Sequence, residues 1–266
     1  MLLTAGCSFV WGDELEGFDQ DPPTHWGRTF TSILARKLGI DYVNRGICGA
    51  CNDKIFREVT DFLHNDDNRG KVTHLVVMWS AWQRAEIVEY MPPDREVKIG
   101  RQNDVTQYSE LRTDLIYCQK KRASMKKWYG TAYDSKTDIM HTLSMMKALE
   151  VICDAVGIKL IQGVFHTRNW SNIMAILTDA PGFKDTAPLL DKDLIASIPE
   201  YSKWLKDSIG SLKDTSRVGM GKGIDLYSLC QELDDMKPHG HPGEKTQVVF
   251  ANELLESFIK SSQQNV

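Results

Sequence analysis

Met1-Leu2-Leu3-Thr4-Ala5-Gly6-Cys7-Ser8-Phe9-Val10-Trp11-Gly12 opens the chain. The apolar run through Ala5 reads as a buried strand that stops at Gly6, and Ser8 stands just beyond it. In an open α/β sheet ligands bind past the carboxyl ends of the strands, so Ser8 falls where a site belongs. At the other end of the chain, His239-Gly240-His241-Pro242-Gly243 precedes the last apolar helix. A serine hydroxyl is a weak nucleophile until a base takes its proton. A near-neutral imidazole can do that around pH 7, which makes Ser8 and His241 a candidate pair.

The segments between them alternate in period. Residues 26–38 place Phe30, Ile33, Leu34 and Leu38 on one helical face, and Gly39 follows as a stop. Residues 40–44 read as a short strand. Residues 52–63 carry Ile55, Phe56, Val59 and Leu63 at helical spacing. Residues 74–79 are almost wholly apolar, as a strand covered on both faces must be. A long helix over 137–156, a strand over 158–165 and a terminal helix over 245–260 complete the pattern. This order predicts a three-layer α/β/α sandwich around a five-stranded parallel sheet. One domain is expected over 1–266, with insertions at about 89–137 and 166–223 that cap the site. The glycine-rich stretch 218–223 lacks phosphate-loop spacing. It reads as a loop before a further strand at Ile224-Asp225-Leu226.

Composition narrows the function classes. The 266 residues are 42% hydrophobic and 26% charged, ordinary values for a globular protein. A net charge of −4 gives no general basic face, so nucleic acid is not an expected partner. No apolar run reaches the ~20 residues of a membrane span. The N-terminal run is too short for a signal peptide and lacks a basic flank. A cytoplasmic protein without membrane association is expected, with its six cysteines mostly reduced. Cys48 and Cys51 form a Cys-x-x-Cys pair, but no second pair exists to complete a zinc site, so no metal is expected.

The opening block and the terminal histidine together resemble the SGNH/GDSL hydrolases, with similarity to the divergent members that tailed phages encode. The family's first block reads Gly-Asp-Ser-x-x-x-Gly; here it is Gly6-Cys7-Ser8 and Gly12, with cysteine in place of aspartate. His241-Pro242 matches the family's histidine loop. The resemblance implies a flavodoxin-like fold and a serine esterase working by a Ser-His mechanism without a cofactor. The implied substrate is a small ester, with an O-acetylated carbohydrate as the finer candidate. It also implies an oxyanion hole built from the Ser8 N–H, the N–H of a glycine after the second strand, and an asparagine after the third. Gly49 fits the second position. Trp79-Ser80-Ala81-Trp82 offers no asparagine, leaving Ser80, Gln83 or Asn52 as the third donor. Pro238 and His239 occupy the positions where the family carries its acid. Asp235 is the carboxylate expected to orient His241, and a Ser-His dyad held by a backbone carbonyl also stands. Trp11, Trp82 and Arg84 are candidate substrate-binding residues.

Blander readings stand beside these. Ser8 also suits a helix cap, and the tryptophans suit a core. The departures from the family pattern are equally consistent with a degenerate module that binds a glycan or a protein partner, or with an assembly protein that uses only the fold. The sequence leaves the oligomeric state open.

Overall fold

Buried apolar segments set the strands. In the computed structural model, β1 (Leu2–Gly6) and β3 (His74–Trp79) lie side by side at the centre of a parallel sheet. β2 (Tyr42–Gly46) flanks β1, and a later strand, β6 (Lys159–Val164), flanks β3. The described residues are 1–17, 25–80, 85–88, 108–111, 135–165, 199–216, 218 and 226–263. Leu2, Leu3, Ala5, Leu75, Val76, Val77 and Met78 are all fully buried, as central strands covered on both faces require.

Among the described residues the sheet order is β2-β1-β3-β6, four strands rather than the expected five. Where the fifth strand would lie, Val218 makes a parallel bridge to Gly163. The Val164 N–H donates to the Val218 carbonyl (3.0 Å), and the Val218 N–H donates to the Gln162 carbonyl (3.2 Å). The strand expected at 224–226 is not formed at Leu226, which instead begins a helix and is buried; positions 224 and 225 lie outside the described residues. The apolar character of Leu226 was read correctly, but its period was not.

The helices follow from capping and from connection handedness. Between β1 and β2, α1 (Ser8–Trp11) is followed by a turn of 3-10 helix at His25–Arg28 and by α2 (Phe30–Leu38). Thr29 breaks the helix that the periodicity had drawn from 26 to 38. Its side chain caps α2 by accepting from the Ser32 N–H. α3 (Asn52–His64) and the short α4 (Asp66–Arg69) lead from β2 to β3. β4 (Ala85–Val88) and β5 (Tyr108–Leu111) pair antiparallel as a separate ribbon. α5 (Ser135–Val156) precedes β6, and α6 (Pro199–Gly210), α7 (Leu226–Glu232) and α8 (Glu244–Gln263) follow it. The β1-to-β2 connection runs one way along the sheet, and the β2-to-β3 connection runs back across β1. Right-handed crossovers therefore put α2 on one face and α3 with α5 on the other. α8 packs on α2, where the Gln247 side-chain oxygen accepts from the Phe30 N–H at 2.8 Å.

Most of the expected insertions at 89–137 and 166–223 lie outside the described residues. Their described parts include β5 and α6, and α6 packs against α5. No helix among the described residues is long and apolar enough to cross a membrane.

Candidate active site

The reversal of connection direction occurs between β1 and β3, so the sheet has its topological switch point there. A crevice opens at such a point beyond the carboxyl ends. Register aligns Gly6 with Gly46 on one side and Met78 on the other, so β1 and β2 end together and β3 runs one residue further. The chain leaves β1 through Cys7, which is buried and extended, and enters α1 at Ser8. Ser8 thus begins the helix rather than capping it: the N-cap position is Cys7, which makes no side-chain cap bond.

Two glycines allow this tight strand-to-helix turn. Gly12 closes α1 at φ 87°, a left-handed conformation that costs a side chain strain. Gly46 lies against α1 so closely that a Cβ there would stand 2.7 Å from the Val10 carbonyl carbon and 2.8 Å from Trp11 Cα. Asn44 ties the same corner: its amide donates to the Val10 carbonyl (2.7 Å), and its oxygen accepts from the Gly46 N–H (2.8 Å). Ser8 is therefore held by backbone packing rather than by its own side chain.

His241 arrives from the other end of the chain on a narrow hairpin. Met236 and Pro242 form an antiparallel bridge, the Lys237 N–H donates to the His241 carbonyl (2.9 Å), and Gly240 turns the chain at φ 88°. The ring packs beside Phe9, with centroids 5.4 Å apart. His241 Nε2 lies 2.9 Å from Ser8 Oγ, so the two residues expected to form a pair are within direct hydrogen-bond reach.

The carboxylate on the far side of the ring is Glu14, not Asp235. Glu14 Oε2 lies 2.8 Å from His241 Nδ1. The same carboxylate accepts from the His239 N–H with both oxygens at 3.1 Å, and from the His241 N–H at 3.4 Å. Burial raises the Glu14 pKa, but the hydrogen bonds from His241 and from the His239 N–H outweigh it, so the group is held below its ordinary 4.5. An ionised carboxylate only accepts, so Nδ1 carries the imidazole proton and Nε2 is left to accept from the Ser8 hydroxyl.

Asp235 does something else. Its Oδ2 accepts from the Thr246 N–H (2.8 Å) and from the Thr246 hydroxyl (3.0 Å), tying down the first turn of α8. The carboxylate upstream of His241 thus serves the helix, while a carboxylate from the other end of the chain serves the ring. Sequence reasoning missed Glu14 because it searched upstream of the histidine. The available signal was the adjacent Asp13-Glu14 pair just after the glycine that closes the serine block. Glu14 adopts φ 64°, a left-handed conformation uncommon for a residue with a side chain, and the buried Leu15 follows it.

The expected oxyanion donors divide. Gly49 lies in the turn after β2 at φ 81°. Asn52 is buried, and its amide is committed elsewhere. Its nitrogen donates to the Ser80 carbonyl (3.3 Å) and the Thr142 hydroxyl (3.1 Å), and its oxygen accepts from the Ser80 N–H (2.8 Å). Asn52 therefore splices the end of β3 to α3 and α5, with both amide protons used, and it is not the third donor. The Ser80 hydroxyl is fully buried without a hydrogen-bond partner among the described residues. Gln83, Trp82 and Arg84 lie outside the described residues. Trp11 packs against His25 and Trp26, with centroids 5.4 Å away in each case, and its carbonyl lies 2.9 Å from His25 Nε2. Cys51 is buried at the start of α3 and Cys48 is exposed, so the two thiols of the Cys-x-x-Cys pair occupy different environments.

No protein-family model matches the sequence, and no curated protein gives a significant match. Among solved structures, the chain is similar to the psychrotrophic esterase EstA from Pseudoalteromonas sp., at 12% identity and TM-score 0.48 over 98% of each chain. It is similar to a member of the lipolytic protein G-D-S-L family from Veillonella parvula, at 15% identity and TM-score 0.43 over 97% of each chain. A GDSL-like lipase from Bacteroides thetaiotaomicron matches at 11% identity and TM-score 0.43, over 98% of this chain and 88% of its own.

Proposed function

We propose that this chain is a serine hydrolase of the SGNH type that cleaves a small ester, with Ser8 as nucleophile, His241 as general base and Glu14 as the carboxylate that orients it. One observation carries the reading: a single imidazole hydrogen-bonded to Ser8 Oγ at 2.9 Å and to Glu14 at 2.8 Å. Ser8 Oγ attacks the ester carbonyl as its proton passes to His241 Nε2. Glu14 stabilises the imidazolium that forms. The Nε2 proton then goes to the departing alkoxide, leaving an acyl-Ser8 ester. Water, deprotonated by the same nitrogen, releases the acid and restores Ser8. The Ser8 and Gly49 N–H groups are the donors assigned to the oxyanion. An O-acetylated carbohydrate is the finer substrate reading.

Asn52 favours a second reading, a degenerate module that binds a glycan or protein without turnover. With its amide committed to Ser80 and Thr142, Asn52 is not free to serve as the third oxyanion donor, and one lost donor costs about 10²–10³ in rate. Hydrolysis of nitrophenyl acetate by the purified chain and by Ser8→Ala separates the two readings. Saturable turnover lost in Ser8→Ala supports the hydrolase. Equal rates in both proteins would contradict it and leave the module.

A further inference from the structure

A second carboxylate stands on the reacting side of His241. Asp13 Oδ2 lies 3.6 Å from Nε2, the ring atom that holds the Ser8 hydroxyl, while Glu14 lies on the opposite nitrogen. The Asp13 side chain is 25% exposed, against 9% for Glu14, so it can be reached by a ligand. The buried His25 ring feels the Asp13 charge, while the other described cations around this loop face other acids. Arg28 pairs with Glu16, Lys237 with Glu244, and the His239 ring approaches Glu14. Among the described residues, His241 is the basic side chain within 4.0 Å of Asp13. No Lys or Arg among the described residues lies within 4.0 Å of Asp13.

A negative charge at this point does not help the oxyanion, and Glu14 already orients the ring. Its useful partner is a positive charge brought by the substrate. For Nε2 to protonate the leaving oxygen, that oxygen must come within about 3 Å of it. A cationic nitrogen two carbons beyond the oxygen then reaches Asp13. Resting on the hydrolase reading above, we infer that Asp13 is a specificity-determining residue that selects esters whose alcohol portion is cationic, such as those of an amino alcohol or amino sugar. Asp13 correspondingly disfavours anionic esters.

The test compares kcat/KM for acetylcholine and for 3,3-dimethylbutyl acetate, its uncharged counterpart of the same shape, by titration of released acid. The wild-type chain should favour the cation by about tenfold, the scale of one partly screened ion pair near a protein surface. Asp13→Asn should bring the ratio close to one, and Asp13→Glu should keep most of it. Raising the salt concentration should lower the wild-type ratio, which tests the claim even if a variant fails to fold. A wild-type ratio near one with both esters hydrolysed overturns this inference alone. An equal loss of both activities in Asp13→Asn overturns it too, because the charge would then act on His241. No turnover of either ester by a chain that hydrolyses nitrophenyl acetate overturns this inference alone, and no turnover of all three overturns the hydrolase reading with it.

Discussion

Replacing Glu14 by glutamine keeps the size of the side chain and removes its charge. The wild-type carboxylate accepts from His241 Nδ1 at 2.8 Å, from the His239 N–H at 3.1 Å and from the His241 N–H at 3.4 Å. An amide has one accepting oxygen and one donating nitrogen. If its oxygen faces Nδ1, its NH₂ group is set against the His239 N–H, donor against donor. If its nitrogen faces Nδ1, that ring atom must accept, the proton moves to Nε2, and Ser8 loses its base. Losing only the charge assistance costs about 1.5–3 kcal/mol, roughly 10–10² in rate. Losing the tautomer costs about 10⁴, the scale seen in Ser-His-Asp proteases. We therefore expect kcat for nitrophenyl acetate to fall by about 10–10⁴ near neutral pH, with KM little changed, because Glu14 lies on the side of the ring away from Ser8. Stability provides an independent readout. The Glu14 pKa is held below 4.5 in the folded chain, so its contribution is present above 4.5 and is lost as pH falls through the lowered value. The stability gap between wild type and Glu14→Gln should open above that pH and close below it. An unchanged kcat in a folded Glu14→Gln protein would refute the role given to this residue.

Other substitutions probe the supports of the site. Asp235→Asn should leave turnover nearly intact and lower the denaturation midpoint by the equivalent of about 1 kcal/mol, because Asp235 holds Thr246 at the start of α8 rather than His241; a large loss of kcat would show that it supports the ring after all. Gly46→Ala should press a methyl group into the backbone of Val10 and Trp11 and displace Ser8, lowering kcat by about 10² as misplacement does; a crystal structure with α1 unmoved would contradict this. His74 is held down to about 4, first by burial and then by Lys159, against an ordinary 6.5. The unfolded chain then binds the extra proton between those values, so stability should rise with pH from about 4 to 6.5. Urea midpoints of His74→Gln should show a flatter slope across that window.

Much of the fold was legible because burial on both faces leaves a plain signal. The apolar run at 74–79 coincides with β3, and the segments at 52–63 and 137–156 fall within α3 and α5. The expected fifth strand failed at Leu226, where a short apolar stretch fits either period and packing chose helix. Ser8 and His241 were legible as positions, since a serine after the first strand and a histidine before the last helix converge at the carboxyl edge of such a sheet. Glu14 was not legible. It reaches His241 only because the turn after Gly12 takes a left-handed step at Glu14 itself, and no local pattern announces that conformation. Asn52 stood beside Ser80 and Gln83 as one candidate for the third oxyanion donor, but its amide joins the Ser80 backbone to Thr142, a contact between segments far apart in the chain.

The central claim is that Ser8 is a nucleophile activated by His241. An aryl or alkyl fluorophosphonate reads that activation directly, because a serine hydroxyl displaces the fluoride readily when a base takes its proton. Intact-mass measurement with peptide mapping should find one phosphonyl group per chain, on Ser8, absent in Ser8→Ala and strongly slowed in His241→Ala and Glu14→Gln. An unmodified chain, or a label on another residue that persists in Ser8→Ala, would contradict the account.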